Sequence, residues 1–500
     1  MKSNDTKYDV IVIGGGPAGI STVMTINATY PDKRVLLIRN DKIPIVPCGM
    51  HYLLWKIEEG KEKQYLCDDS LSNYSLDLEI AKVEVIDRVN KKIILNNGKE
   101  YSYEKLVIAT GSIPNLPDIP GKDANNVFVI KKDFEYLLDL KKKISKVNKI
   151  GIVGGGFVAV EVADLLSSLN KQVFLFHPQY HILEGSFDRE LYMLAEDILT
   201  KKGVLIIPKV HVRRVLTDQK NCVRGVELDN GNCVDIEALI FCTGMKPNIE
   251  LAKNAGLEIG KKEGIVVDEY MRTSDKDIFA VGDCTEEREF FTRQVSSMML
   301  ASIATSEGRI AGSNIFSLRV IRQNKGTVGI YSTIIGDHVF GCVGLTEKRA
   351  KENNFDYVIG EAKAHDQHHK YFADSREIYV KLIFSRESDV ILGGQVFGSK
   401  YVAEILNLIG LCVQKSMTIS ELITIQIGTH PVLTSSPAEY PIIIAAVDAM
   451  KNQLSLNKMI FCDFNNEVYD NLDCHDERNK LNDSGSIHKV EQELEIFNRQ

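Results

Sequence analysis

The ten cysteines include no CxxC pair, and none of their spacings resembles a zinc site. They are scattered at positions 48, 67, 222, 233, 242, 284, 342, 412, 462 and 474. The opening stretch, Met1 to Asp9, is polar and charged, so it does not read as a signal peptide. Most of the thiols are therefore expected to be reduced and buried, in a cytoplasmic protein. Nowhere is there an uninterrupted apolar run of about eighteen residues, which argues against a membrane span. Basic charge is not in excess either. Against 60 Lys and Arg stand 68 Asp and Glu, a net charge of -8. That balance argues against nucleic acid as the main partner, because no surplus cation is available to neutralise phosphates. What remains is a globular chain, 44 % apolar. At 500 residues it exceeds what one core supports, and two to four domains are expected.

The apolar segment Tyr8 to Ile13 reads as a buried strand and runs into Gly14-Gly15-Gly16-Pro17-Ala18-Gly19. This is a GxGxxG pattern. Gly14 makes the tight turn, Gly16 admits a pyrophosphate, and Gly19 lets the next helix pack on the strand. The helix N-terminus then favours the phosphate charge. A second strand, Lys149 to Val153, leads into Gly154-Gly155-Gly156-Phe157-Val158-Ala159, with alanine at the last fingerprint position. Two such loops imply two dinucleotides. Each is followed by an apolar strand ending in a Thr-Gly turn, at Thr110-Gly111 and at Thr243-Gly244. A further strand, Ile278 to Val281, delivers Gly282-Asp283, an aspartate suited to a ribitol or ribose hydroxyl.

From Tyr8 to about Met450 the chain resembles the pyridine nucleotide-disulfide oxidoreductases. The resemblance implies an α/β protein with two Rossmann-like domains, for FAD and NAD(P)H, and a C-terminal α+β dimerisation domain. Residues 1–120 with 265–325 are expected to bind FAD through Gly14, Gly16, Gly19, Thr110, Gly111, Gly282 and Asp283. Residues 121–264 are expected to bind NAD(P)H through Gly154, Gly156, Ala159 and Gly244. Residues 326–455 would form a homodimer interface, and 456–500 a polar, partly disordered tail.

Within that family the disulfide reductases carry CxxxxC, but the position five after Cys48 is Leu53. The single Cys48, in Val46-Pro47-Cys48-Gly49-Met50-His51-Tyr52, is similar to that of the NADH oxidase and coenzyme A disulfide reductase group. The resemblance implies a thiol that cycles through a mixed disulfide or a sulfenic acid. Cys48 precedes a helical pattern (MHYLLWKIEEG), so a helix dipole is expected to lower its pKa. His51, three residues on, is either an acid/base group or a solvent-facing side chain.

Three positions depart from the family pattern. The first glycine loop has no histidine. Its second strand ends in Arg39 where an acid would hold the FAD ribose; arginine can stack on adenine or pair with phosphate instead. In the nicotinamide unit the corresponding strand ends in His177, not in an acid selecting NAD. NADPH is then admissible beside NADH, with a slight lean toward NADPH.

The resemblance also places Glu161 near the flavin ring, positioning the nicotinamide; the alternative is a solvated helix glutamate. His430, before Pro431, matches the reductases' histidine that crosses the dimer interface as a general acid/base. Its usual glutamate partner is replaced by Ser435, so His430 is either catalytic or packed at the interface. His365, His368 and His369 read as a solvated loop, and no metal is expected.

The reaction implied takes electrons from NAD(P)H through FAD to Cys48 and on to a disulfide, polysulfide or oxygen. The alternatives are a reductase for a ferredoxin-like partner, which needs no thiol, and a low-turnover redox sensor.

Overall fold

The strand Lys7–Ile13 is wholly apolar from Val10 onward, where both of its faces are covered. In the computed structural model it is the centre of a sheet, with Val10, Ile11 and Val12 wholly buried. The structure describes residues 6–43, 45, 47–50, 71, 74–296, 298–323, 326–368 and 372–466. Lys7–Ile13 lies parallel between Val35–Arg39 and Glu100–Ile108, so that Val12 faces Leu37 on one side and Val107 on the other. The strand Ile278–Ala280 also joins Glu100–Ile108 in parallel, from far along the chain. The first sheet is thus completed only after a second unit has been inserted.

That unit has its own five-stranded parallel sheet. The order is Leu205–Pro208, Gln172–His177, Lys149–Val153, Ala238–Phe241 and Val127–Val129. Two Rossmann-like sheets, each with a glycine turn after a central strand, therefore stand in one chain. A third, antiparallel sheet follows, ordered Ile330–Ile335, His338–Gly344, Ile391–Gly398, Glu377–Ser385 and Tyr357–His365. The helices Val402–Gln414 and Pro441–Asn466 pack on it. The last helix runs on past residue 455, where the interface domain was expected to stop. Among the described residues no helix is long and apolar enough to cross a membrane.

Two contacts set the geometry of the parts. The glycine-loop helix Pro17–Thr29 lies against Ala301–Asn314 at Gly308, where a Cβ would sit 2.6 Å from the Ala18 carbonyl oxygen. Ser21 Oγ donates across the same contact to Thr305 O at 2.8 Å. The two Thr-Gly turns exchange hydrogen bonds between the parallel-sheet units. Thr110 Oγ1 donates to Asn248 O at 2.7 Å, and Asn248 N to Gly111 O at 2.9 Å. In return Thr243 Oγ1 donates to Asn115 O at 2.5 Å, and Asn115 N to Gly244 O at 3.0 Å.

The third sheet is tied to the inserted unit by charge. Lys381, 3 % exposed, reaches Glu190 Oε1 at 2.6 Å, Glu347 Oε2 at 3.1 Å and Asp188 Oδ2 at 3.2 Å. The amide of Gln395, itself buried, also donates to Asp188. Lys381→Met would leave these carboxylates facing one another without a cation. The expected loss is about 3 kcal/mol of stability at neutral pH, read as a lower urea midpoint. Burial raises the Glu347 pKa, so this carboxyl takes up a proton early as pH falls. The gap from wild type should therefore narrow on acidification, and a pH-independent gap would refute the electrostatic account.

Candidate active site around Cys48

The glycine loops show why they cannot carry side chains. Gly14 has a φ of +120°, and a Cβ there would lie 2.1 Å from Ala109 O. A Cβ on Gly19 would meet Gly14 O at 1.9 Å. Gly16, at the N-cap of Pro17–Thr29, instead has nothing within 4 Å of its Cβ position. It leaves an open cradle before the helix N-terminus, and this fits the pyrophosphate of FAD. The second loop repeats the arrangement. Gly154 turns at a φ of +137° against Cys242 O, and Gly156 is open at the N-cap of Phe157–Ser168. Ala159 is fully buried at that helix contact, its methyl 3.4 Å from the Gly154 Cβ position, so alanine is accommodated there.

Gly282-Asp283 is held from behind: the Gly282 N–H donates to the buried Glu307 Oε2 at 2.7 Å. Asp283 Oδ2 accepts from Ser112 Oγ at 2.7 Å and from Lys132 Nζ at 3.0 Å. Lys132 also reaches Ser112 Oγ at 3.1 Å. These three residues come from different stretches of chain, and Lys132 and Ser112 belonged to no motif. The nearest signal was the Thr110-Gly111 turn, which places Ser112 in the next position.

Cys48 lies in the short turn Pro47–Gly49 and is exposed as a residue, yet the cleft around its sulfur is crowded enough to desolvate the thiol. Desolvation raises its pKa above the ordinary thiol value, opposed by the Lys132 ammonium and by the Ala301 backbone N–H. The Glu161 and Asp283 carboxylates push it further up. The expected lowering by a helix dipole is thus corrected. Among the described residues the helix end that meets this sulfur is that of Ala301–Asn314, and its contribution does not outweigh desolvation. The helical pattern from His51 onward, and His51 itself, lie outside the described residues.

The remaining candidates divide. Glu161 is not merely a solvated helix residue, because its Oε1 accepts from Thr333 Oγ1 at 2.6 Å. Thr110 spends its hydroxyl on Asn248 O. Arg39 is buried, its stem under Gly15, with Nη2 donating to Lys42 O at 3.3 Å. Two residues beyond it stands an acid the strand pattern missed, Asp41, whose pKa is raised by desolvation and by Asp133.

His177 is fully buried beside Gly155, and neither ring nitrogen has a hydrogen-bond partner in the described chain. Burial lowers its pKa, so the ring is neutral. Within one chain His430 is an exposed loop residue and is not among the groups acting on Cys48. Its Nδ1 accepts from Val432 N at 3.4 Å. Ser435, in place of the usual glutamate, donates to His365 O at 2.5 Å and so does not orient His430. Among the described residues no three of His, Cys, Asp and Glu are grouped to hold a metal, and His369 lies outside them.

Comparison with known proteins agrees with this geometry. Residues 8–308 match the family described as pyridine nucleotide-disulphide oxidoreductase, and residues 330–440 match its dimerisation domain. A Methanocaldococcus jannaschii protein named NADH oxidase is 30 % identical over 459 residues, covering 88 % of this chain and 98 % of its own length. A Pyrococcus horikoshii protein named NAD(P)H coenzyme A polysulfide/persulfide reductase is 30 % identical over 405 residues, 80 % of this chain and 89 % of that protein. The structure of a NAD-dependent persulfide reductase from A. fulgidus superposes with a TM-score of 0.79 at 30 % identity. It covers 89 % of this chain and 84 % of that one.

Because the Lys132 ammonium favours the Cys48 thiolate, Lys132→Met should slow iodoacetamide alkylation of Cys48 at a fixed mildly alkaline pH. The rate should fall about tenfold for each pKa unit gained, and the alkylation profile should move to higher pH. An unchanged profile would remove Lys132 from the site.

Proposed function

The chain belongs to the pyridine nucleotide-disulphide oxidoreductases, FAD-dependent enzymes that oxidise NAD(P)H, and we propose that it reduces a small disulfide, persulfide or polysulfide through Cys48. One observation carries this reading. The thiol lies under the combined influence of Asp283 from the first glycine-loop unit, Glu161 from the second and the N-terminus of Ala301–Asn314. It is also open to an incoming acceptor.

Bound FAD supplies the two-electron relay between the nicotinamide and the sulfur. The first glycine loop and Asp283 would hold it, and the second loop would hold the coenzyme. Cys48, as thiolate, attacks one sulfur of R–S–S–R′, forming Cys48–S–S–R and releasing R′–S⁻, which takes a proton. Two electrons from NAD(P)H then cleave the mixed disulfide, returning the Cys48 thiolate and releasing R–S⁻, which a second proton completes as R–SH. The overall balance is NAD(P)H + H⁺ + RSSR′ giving NAD(P)⁺ + RSH + R′SH. Lys132 and the Ala301 N–H stabilise the thiolate against the two carboxylates. His51 and His430 are the candidate proton donors, the latter from the second subunit of a homodimer. A cytoplasmic setting suits an enzyme whose described cysteines are all free. An electron-transfer role toward a protein acceptor gains nothing from a thiol in this position.

We read NADH as the preferred coenzyme, reversing the slight lean toward NADPH. His177 is neutral and enclosed, and the carboxylates acting on it are Glu196 and Glu184. Glu196 is bonded to Ile182 N and His181 Nδ1, and Glu184 to His181 N. A 2′-phosphate in this loop would meet negative charge in a partly desolvated site.

Steady-state turnover tests both readings. Cys48→Ser should keep flavin reduction by NADH while losing disulfide or persulfide reduction by orders of magnitude. Undiminished disulfide turnover in Cys48→Ser would overturn the assignment, and consumption of oxygen alone by wild type would move the reaction to the oxidase side. The kcat/KM for NADH should exceed that for NADPH by about tenfold or more, as a short-range like-charge contact demands. Equal values would refute the coenzyme reading.

A further inference from the structure

The nicotinamide-loop helix Phe157–Ser168 is gripped along one face by the third sheet. Glu161 and Asp164 are three residues apart and so share that face. Glu161 Oε1 accepts from Thr333 Oγ1 at 2.6 Å. Asp164 Oδ1 accepts from Gly336 N at 3.1 Å, just beyond the same strand Ile330–Ile335, and from Lys202 Nζ at 2.5 Å. Thr333 is 5 % exposed and Asp164 7 %, so water competes little for these bonds. A glutamate has three rotatable side-chain bonds, and a helix backbone alone does not choose where its carboxylate points. The bond from Thr333 fixes one oxygen of that carboxylate.

We propose that Thr333 is a positioning residue for the reaction: it holds the Glu161 carboxylate in the orientation from which it acts on the Cys48 cleft. The strand that supplies this hydroxyl lies in the dimerisation domain, residues 330–440, so part of the catalytic geometry comes from a unit with no dinucleotide loop. This rests on the reading of Glu161 as a group facing the reacting sulfur and the nicotinamide.

The test uses the FAD-loaded enzyme and stopped-flow reduction by NADH, with Cys48 alkylation measured across pH. Thr333→Val keeps the shape and loses the donor. It should slow reduction by about tenfold, the worth of one hydrogen bond to a charged group, and displace the Cys48 alkylation profile. Thr333→Ser restores the hydroxyl and should recover both. In a Glu161→Gln background Thr333→Val should add much less than it does alone. Thermal midpoints of all variants separate these effects from loss of fold, since a purely structural role lowers the midpoint without moving the alkylation profile. Failure of Thr333→Ser to rescue, or a full additive loss in the double variant, overturns the proposal. A slow Glu161→Gln beside a wild-type Thr333→Val leaves the Glu161 role standing and refutes Thr333 alone. A wild-type Glu161→Gln removes the role given to Glu161, and the positioning role with it.

Discussion

The exchange of hydrogen bonds between the Thr110-Gly111 and Thr243-Gly244 turns is the constraint on which the site depends. Each turn ends a parallel strand beside a glycine loop, and each donates into the segment that follows the other: Thr110 to Asn248, Thr243 to Asn115. Strands Ser112–Pro114 and Met245–Pro247 close the junction as an antiparallel pair. Asp283 belongs to one unit and Glu161 to the other. They act on one thiol because the units are held in one mutual orientation, by this junction and by the Lys132–Asp283 pair that also joins them. Without that orientation, two well-formed dinucleotide folds would carry no shared chemistry. The junction also explains why a threonine at a fingerprint position is used for architecture: its hydroxyl is already committed to the neighbouring unit.

The electrostatics at Cys48 run against the simplest picture of an activated cysteine. Two carboxylates and desolvation favour the thiol, while one ammonium and one helix N–H favour the thiolate. Lys132 is moreover shared with Asp283 at 3.0 Å, so its charge is partly spent before it reaches the sulfur. A thiol so poised resists attack by stray oxidants and gains nucleophilicity when it does ionise, since basic thiolates are the better nucleophiles.

Much of this could be read from the chain. The strand-turn-helix of each glycine loop and the Gly282-Asp283 turn are local patterns, and local patterns survive in sequence because the backbone itself demands them: Gly14 and Gly19 sit where any Cβ would strike a carbonyl oxygen. The rest comes from residues whose meaning is tertiary. Lys132 looks like any surface lysine in Lys131-Lys132-Asp133 until the fold sets it on Asp283. Ala301 contributes only a backbone N–H, for which no side-chain pattern exists. The expected lowering of the Cys48 pKa gave the wrong direction for the same reason, since burial of the thiol, the largest influence on it, is a tertiary property. His177 left NADPH admissible because no acid ended the strand, and its full burial with two glutamates beside it is tertiary information that the strand pattern did not carry.

The third sheet enters through the same logic. A single buried lysine, Lys381, binds three carboxylates that belong to two structural units, and removing charges from water there is worthwhile only if the geometry is held. Asp188 additionally accepts the backbone N–H groups of Glu347 and Lys348, at the start of a helix in the third sheet's own segment. A contact so polar is specific in orientation where an apolar one would tolerate sliding. The nicotinamide-loop helix therefore stands between two fixed surfaces: the Thr-Gly junction sets where its N-terminus points, and the third sheet sets how it is rotated about its axis. Rotation decides whether Glu161 faces the cleft. A module that matches a dimerisation domain is in this way part of the frame that holds Glu161 on the nicotinamide-loop helix.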